Sequence, residues 1–379
     1  MKLNKKGMLL SGVSGILCIL FAILFGIGEW AAAGMIGDLD ALNSVERWFS
    51  DGEPYANIAL HTDADSAMTR NEVENYNRSI DTGLVNASID APENGSAWAW
   101  CYYADTQTSV TGPKSTAQIS TMAVGGNFFT FHPLAFLYGA PFSYDRALPD
   151  TVVLDEDAAW RLFGAIDVAG MTLEIGGREL TVTGIVARER YTYAYEKAYG
   201  DMPRMYINYY AWEAIMGERA DITTYEAVLP DPVKSFAMNI FKDAVRINED
   251  TMVVRENSSR YSLISRFQRM KELPYMGMRN DRIYYPYFEN ELQVMDYHTS
   301  VCMVLETICA ALSLLCLLLS GISLFVSGFT VSGLVKNGWN RVQKAWTVRK
   351  RNTVKKNKHS HRPARPAQGG TEIPTEEIK

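Results

Sequence analysis

The segment VAGMTLEIGGRELTVTGIV, residues 168–186, decides how the middle of this chain folds. Met171–Ile175 and Leu180–Val186 are apolar runs of strand length, and Gly176-Gly177 between them suits a tight hairpin turn. In the second run aliphatic residues alternate with threonines, which is typical of a strand with one buried face. The segment therefore predicts a β-hairpin that packs on a core.

Two motifs lie upstream of this hairpin. TVVLDEDAAWRLFG, residues 151–164, predicts a short strand, then a helix over 155–163 with Gly164 as its C-cap. The acidic run Asp155-Glu156-Asp157 could bind a metal, but acidic residues are also favoured at a helix N-terminus, and we prefer that interpretation. Further upstream stand GGNFFTFHPL, residues 125–134, and GAPF, residues 139–142.

The remaining pattern mixes strands and helices without a βαβ rhythm, which predicts an α+β fold. Thr69 is a candidate N-cap for a helix over 71–89. The other predicted helices cover 35–49, 232–246, 262–273 and 288–300, and the other predicted strands cover 55–61, 98–104, 118–124, 205–210, 225–229 and 251–255.

Two uncharged apolar stretches, Met8–Gly28 and Thr307–Val335, enclose nearly all of this pattern. As helices they would be about 32 and 43 Å long, enough to cross a hydrocarbon core of about 30 Å. Lysines precede the first stretch and a basic tail follows the second, so both termini are predicted to be cytoplasmic. Ala31-Ala32-Ala33 would allow cleavage of the first stretch as a signal peptide, but its length favours a retained helix.

Charge and motifs exclude several functions. The segment between the spans, 30–300, carries 22 Lys and Arg against 38 Asp and Glu, a net charge of −16, which argues against nucleic acid as a partner. Cys101 is its only cysteine apart from those in or beside the spans, so no disulfide is expected within it, and no Cys/His spacing suggests zinc. Common catalytic motifs are absent, so we expect neither an enzyme nor a cofactor or metal.

The three motifs in 125–142, 151–164 and 168–186 together resemble the extracytoplasmic core domain of MacB/FtsX-type ABC transporter permeases. The resemblance implies a bacterial plasma-membrane protein whose ectodomain combines a porter-like subdomain with an inserted sabre-like subdomain. It implies no catalytic residues. Permeases of this family have three membrane helices after the ectodomain, whereas only one is expected here, so the last membrane helices would be lacking.

These expectations divide the chain into four parts. Residues 1–29 form the cytoplasmic N-terminus and first membrane helix, and 30–300 the ectodomain, with the sabre-like insertion at about 125–222. Residues 301–335 form the second membrane helix, and 336–379 a basic, largely disordered cytoplasmic tail.

Two hypotheses about function follow. The chain could be a permease-like subunit or accessory of an ABC-type export or mechanotransmission system, coupled through its ectodomain, with a separate ABC ATPase and a second permease subunit as partners. Alternatively, it could be a standalone, membrane-anchored binding or sensor module for an extracytoplasmic protein or ligand, without ATPase coupling.

Two groups of residues are candidates for contacts with other molecules. Tyr191, Tyr193, Tyr195 and Tyr199 could form a partner-binding surface, although ordinary sheet packing with a tyrosine-rich loop is the simpler explanation. In the tail, apolar and basic residues at helical spacing predict a helix that lies on the inner membrane surface. These residues are Trp339, Val342, Trp346, Arg349 and Lys350. Alternatively, the segment could contact an ATPase, or its charges could serve only to set the membrane topology.

Within the second span two features are open to interpretation. Glu306 lies near its outer end, where we expect the carboxylate to be solvated, although acids in membrane helices are often functional. The small residues of the span permit close helix packing, either with Ser11 and Gly15 of the first span or with a partner subunit; they are Gly321, Ser323, Ser327, Gly328 and Ser332.

Overall fold

Two very long helices and a large mixed sheet make up the protein. A computed structural model describes residues 5–37, 42, 44–48, 54–89, 91, 95–144, 147–188, 198–217, 221–276, 282–326, 339, 343–344 and 346. The helices are α1 Lys5–Gly37, α2 Ser44–Trp48, α3 Arg70–Asn86, α4 Phe128–Phe131, α5 Glu156–Phe163, α6 Tyr209–Met216, α7 Phe236–Val245, α8 Leu263–Arg269 and α9 Tyr287–Val326, with a 3₁₀ helix over Met270–Tyr275.

Ten strands form one sheet in the order β10-β1-β9-β2-β3-β8-β5-β7-β4, and β6 pairs with both β2 and β7. Most neighbouring strands are antiparallel, but β3 and β8 are parallel, as are β5 and β7. The strands are β1 Tyr55–Thr62, β2 Ala99–Thr111, β3 Thr116–Gly126, β4 Phe136–Gly139, β5 Thr151–Asp155, β6 Thr172–Ile175, β7 Arg178–Val186, β8 Arg204–Asn208, β9 Thr224–Pro230 and β10 Met252–Glu256.

The sheet is apolar on both faces, and each face has its own core. On one face Tyr102 packs with residues of α3, α5, α6 and α7, such as Leu162 and Phe241. On the other face the neighbouring Cys101 and Tyr103 pack with aromatic residues of α4 and of the start of α9. Because successive side chains of a strand point to opposite faces, β2 supplies both cores at once.

The hairpin and the caps predicted from the sequence are confirmed. Strands β6 and β7 are antiparallel partners, and both Gly176 and Gly177 have positive φ. Gly164 ends α5 in the left-handed conformation, as predicted, and the helix begins one residue later than predicted because Asp155 is its N-cap, where its side chain accepts a hydrogen bond from Ala158 N. Thr69 caps α3 in a capping box with Glu72.

One predicted element is wrong in part. The strand predicted over 205–210 ends at Asn208, whose side chain accepts a hydrogen bond from the backbone N of Tyr210 and so begins helix α6. Apolar spacing alone does not indicate this cap. Of the helix predicted over 35–49, residues 35–37 belong to α1 and 44–48 to α2, and residues 38–41, 43 and 49 lie outside the described residues.

Within the part of the chain that the structure describes, two helices are long and apolar enough to cross a membrane, over Leu9–Gly37 and Tyr287–Phe325. The described residues of Leu24–Ile308 form one compact unit, and the parts of α1 and α9 outside this range belong to a second. In the second unit the two helices contact each other through hydroxyl groups: Ser11 Oγ lies 3.2 Å from Ser320 Oγ, and Ser313 Oγ donates to the carbonyl of Cys18 at 3.2 Å.

Gly15 has open space beside it, so the contact between α1 and α9 in this unit does not use that glycine. Gly321 likewise has no neighbour at the position where a Cβ would stand. Of the other small residues named for this contact, Ser323 is buried, whereas Ser327, Gly328 and Ser332 lie outside the described residues.

Candidate functional site

Buried ion pairs join the end of the ectodomain chain to α9. Arg260, in the loop after β10, is 3% exposed and lies between Glu289 and Asp296 of α9. The two acids are seven residues apart, which is about two helical turns, so they lie on the same side of the helix. We call Arg260, Glu289, Asp296 and Arg269 the Arg260 cluster.

Every N–H group of the Arg260 guanidinium has an acceptor. Nη1 and Nη2 donate to the two carboxylate oxygens of Glu289 at 2.7 and 2.9 Å. Nη2 and Nε donate to Asp296 at 2.7 and 3.1 Å, and Nη1 also reaches Asn257 Oδ1 at 3.0 Å. Five donors and five acceptors satisfy this buried cation completely.

The partners of Arg260 stabilise the positively charged form of its guanidinium. Burial alone would lower the pKa of its guanidinium, but the carboxylates of Glu289 and Asp296 hold that pKa well above its usual value. Arg269 of α8 adds a second cation, with Nη1 2.7 Å from Asp296 Oδ1, and its Nη2 donates to the Arg260 carbonyl at 2.8 Å. The loop after β10, helix α8 and helix α9 are thereby held by one network.

A second network joins α8 to both long helices. Arg266 is 3% exposed, and its Nη1 donates to Glu29 Oε2 of α1 at 2.8 Å. Its Nη2 contacts both oxygens of Glu306 in α9, at 3.1 and 2.9 Å. A Cβ at Gly28 would stand 2.9 Å from Glu306 Cγ, so this glycine allows the close approach of α1 and α9. We call Arg266, Glu29 and Glu306 the Arg266 cluster.

The expectation of a solvated Glu306 is wrong. Its side chain is 1% exposed because Arg266 of α8 covers it. This arginine could not be predicted as the partner of Glu306, since the two residues are 40 positions apart in the chain. For the Arg260 cluster a signal was available in the sequence, because Glu289 and Asp296 are two helical turns apart, but no site was predicted from it.

The tyrosines named as a partner surface are only partly described. Tyr199 is 5% exposed, its hydroxyl donates to Asp155 Oδ2 at 3.2 Å, and the guanidinium groups of Arg188 and Arg204 lie 5.0 and 4.8 Å from its ring centre. Its ring is therefore enclosed and not presented to a partner. The other three, Tyr191, Tyr193 and Tyr195, lie outside the described residues.

The tail residues predicted to lie on the membrane are described in part. Trp339 and Trp346 are helical and each is 66% exposed. Val342, Arg349 and Lys350 lie outside the described residues, so the membrane-surface helix stays a prediction.

One cluster of described residues has the side chains to hold a metal ion. Cys101 of β2 and Glu226 of β9 stand directly opposite each other in the sheet, and His132, the C-cap of α4, lies beside them. One ligand atom from each of the three lies within 4.8 Å of the others. His132 Nε2 is 2.9 Å from Glu226 Oε1, and the Tyr103 hydroxyl donates to the same oxygen at 2.5 Å.

The comparison with known families agrees with the resemblance. The MacB-like periplasmic core domain family matches residues 8–249, more than half of the chain. The sequence matches no curated protein.

The solved structures that the chain is similar to include the following two. The extracellular domain of the noncanonic ABC-type transporter YknZ from Gram-positive bacteria is 14% identical, covers 52% of this chain and 99% of its own, and has a TM-score of 0.36. The periplasmic region of MacB from Actinobacillus actinomycetemcomitans is 13% identical, covers 55% of this chain and 92% of its own, and has a TM-score of 0.37. The extent of the family match decides the assignment, and the chain belongs to the MacB-like periplasmic core domain family.

Proposed function

We propose that this protein is a membrane-anchored, permease-like subunit of an ABC-type export or mechanotransmission system. Its ectodomain would change position when a partner ATPase acts on the membrane helices. Three observations support the proposal: the family match over 8–249, the two candidate membrane helices, and the buried ion pairs that join α9 to α8 and to the loop after β10.

The topology belongs to the same proposal. Residues of about 30–300 would be extracytoplasmic in a bacterial plasma membrane, with both termini in the cytoplasm, because positive charge collects at Lys2, Lys5 and Lys6 and again after residue 335. The sabre-like insertion would cover about 125–222. In support, strands β4–β8 all fall within this range; β8, β5, β7 and β4 occupy one end of the sheet next to β3, and β6 pairs with β7 and with β2.

The Arg260 cluster is the observation on which the coupling hypothesis depends. Arg260 bonds both Glu289 and Asp296 of α9. If α9 shifted while the loop after β10 stayed in place, Arg260 would be separated from both carboxylates inside the protein. Breaking such a buried pair costs about 3–5 kcal/mol. The network therefore favours joint movement of α9, α8 and β10 over sliding between them.

The energy for such movement would come from an ABC ATPase, and a second permease subunit would complete the membrane part. The decisive experiment is purification of the tagged full chain from native membranes in a gentle detergent, followed by mass spectrometry of the proteins that accompany it. An ABC ATPase at comparable abundance is the expected result. Recovery of the chain alone, or with extracytoplasmic proteins only, would overturn the proposal and favour the standalone binding module.

Coupling can be tested apart from association. In the purified complex, hydrogen–deuterium exchange of the segment 252–269 should change between the ATP-bound and nucleotide-free states. Arg260→Met should keep the ATPase but lose this change, because the link to α9 is cut. Arg78→Gln, which alters an exposed arginine on α3, is the matched control and should behave like the wild type. An unchanged response in Arg260→Met would contradict coupling through this cluster.

A further inference from the structure

We propose that Cys101, His132 and Glu226 bind a divalent metal ion of the zinc class in the interior of the ectodomain. Thiolate, imidazole and carboxylate are the donors that zinc takes in proteins, and three such protein ligands are common where the fourth position is held by another group. The exposed fractions of the three residues are 0%, 4% and 4%, so an ion here would be enclosed.

The fold determines the backbone positions of the three proposed ligands. Cys101 and Glu226 are register partners on adjacent strands in the middle of the sheet, and His132 is placed by α4, whose Phe128 and Phe131 are buried in the same core. Ligand atoms around tetrahedral zinc are about 3.3–3.6 Å apart, as follows from bond lengths of about 2.0–2.3 Å. The ligand atoms of the three residues lie within 4.8 Å of one another. The longest of these separations would have to shorten by about 1 Å on metal binding, which rotation of the side chains can achieve.

One imidazole nitrogen of this cluster, the buried His132 Nδ1, has no hydrogen-bond partner among the described residues. The nearby His61 is a neighbour of Glu226 on the same face of the sheet, but its Nδ1 lies 3.2 Å from Thr224 Oγ1 and its Nε2 lies 3.9 Å from Glu289 Oε2, so His61 belongs to the surroundings of the Arg260 cluster. Buried polar atoms are normally satisfied, so the unpaired nitrogen of His132 is a second observation that favours a ligand at this cluster.

The charges also balance. Two negative ligands, the Cys101 thiolate and the Glu226 carboxylate, would neutralise one divalent cation, so the enclosed cluster would carry no net charge. The hydroxyl of Tyr103 donates to Glu226 at 2.5 Å and would orient that carboxylate toward the ion. The ring of His132 stacks on Phe288 of α9, with centres 3.9 Å apart, which holds the imidazole in place.

The test uses the full chain in detergent, purified without chelators. After equilibration with zinc and dialysis we expect one zinc per chain by elemental analysis. Cys101→Ser and Glu226→Gln should each reduce the bound zinc at least tenfold, whereas Cys302→Ser, a cysteine of α9 outside the cluster, should leave it unchanged. A wild-type chain that retains no zinc overturns the proposal, as does a Cys101→Ser chain that retains it all.

A second measurement keeps Cys101 in place, in case its substitution prevents folding. In a chain with Cys18, Cys302, Cys309 and Cys316 replaced by Ser, Cys101 is the one remaining thiol. Cobalt(II) bound to this chain should show the charge-transfer absorption of a cobalt–thiolate bond with tetrahedral ligand-field bands. Folded protein without these bands would mean that His132 and Glu226 form only a buried hydrogen-bonded pair.

Discussion

Arg266 of α8 holds Glu306 of α9 through Nη2, which lies 2.9 Å from Oε2 and 3.1 Å from Oε1, and both side chains are almost completely buried. The same guanidinium bonds Glu29 of α1. One cation thus joins three helices at the level where α1 and α9 become continuously apolar. Since buried charges separate only at a high cost in free energy, this point fixes the position of α8 along both long helices.

We predict that Arg266→Gln loosens α8. Without the cation, Glu29 and Glu306 face each other in a poorly hydrated site, so the free energy of opening this region should fall by about 3–5 kcal/mol. Hydrogen–deuterium exchange of residues 263–269 in the detergent-solubilised chain measures the effect. Protection in the strands should change little, because the sheet has its own cores.

Glu306→Gln in the Arg266→Gln background distinguishes charge repulsion from a loss of packing. If repulsion between carboxylates causes the loosening, the double variant should recover part of the protection. Arg78→Gln, on the exposed surface of α3, should stay within about 0.5 kcal/mol of the wild type. Equal exchange in all of these variants would show that the Arg266 cluster does not hold α8.

The Arg260 cluster gives a sharper test of buried-charge energetics. Arg260→Met should reduce the free energy of unfolding by about 3–5 kcal/mol, because Glu289 loses the cation that binds both of its oxygens, whereas Asp296 keeps Arg269. Arg260→Met with Glu289→Gln removes the uncompensated charge and should restore most of the loss. Chemical denaturation followed by tryptophan fluorescence measures both. A double variant no more stable than the single one would mean that packing, and not charge, dominates.

Much of the fold could be predicted because its signals are local. The Gly176-Gly177 turn, the capping box at Thr69 and the Asp155 cap of α5 each involve residues within a few positions of one another. The order of strands in the sheet could not be predicted in the same way. The pairing of β1 with β9 joins residues more than 150 positions apart, and only the packing of the whole chain selects it.

Separation along the chain also explains why the candidate sites could not be predicted. Arg260 and Glu289 are 29 positions apart, and Cys101 and Glu226 are 125 apart. No spacing rule connects them, because zinc motifs and helix pairs are recognised only over short, regular intervals. The sequence left two interpretations of Tyr199 open, a partner surface and ordinary packing, because its burial against Asp155 and Arg204 depends on the tertiary fold.

Asp155 should make stability depend on pH. Burial raises its pKa from 3.8 to about 6, although hydrogen bonds from Ala158 N and Arg204 N and the charge of Arg188 act in the opposite direction. The folded state therefore binds this proton more tightly than the unfolded state. Stability contributed by the neutral acid is complete below pH 3.8 and is lost as the pH rises toward 6, by about 3 kcal/mol in all.

The measurement compares the wild type with Asp155→Asn by chemical denaturation between pH 4 and pH 7. Asparagine keeps the oxygen that caps α5 but cannot ionise, so the wild type should lose stability relative to this variant as the pH rises. Asp250→Asn changes an exposed carboxylate and gives the baseline for removing one negative charge. A constant difference between wild type and Asp155→Asn over this range would contradict the raised pKa.

Gly139, in the GAPF segment, should tolerate no side chain. Its φ is +68°, and a Cβ there would stand 2.1 Å from the carbonyl oxygen of Thr183 in β7. Gly170 also has a positive φ, of +87°, but nothing lies within 4 Å of its Cβ position. Gly170→Ala should therefore cost only the left-handed backbone strain, about 1–2 kcal/mol.

Gly139→Ala carries the same strain and also forces β4 away from β7, so we expect a loss of at least about 3 kcal/mol in the free energy of unfolding. Thermal and chemical denaturation of the two variants under identical conditions give the comparison. Since both glycines have positive φ, the difference between the variants isolates the steric contact with Thr183. Similar losses for the two would mean that β4 can move aside, and that the GAPF glycine serves its backbone conformation and not the approach of the two strands.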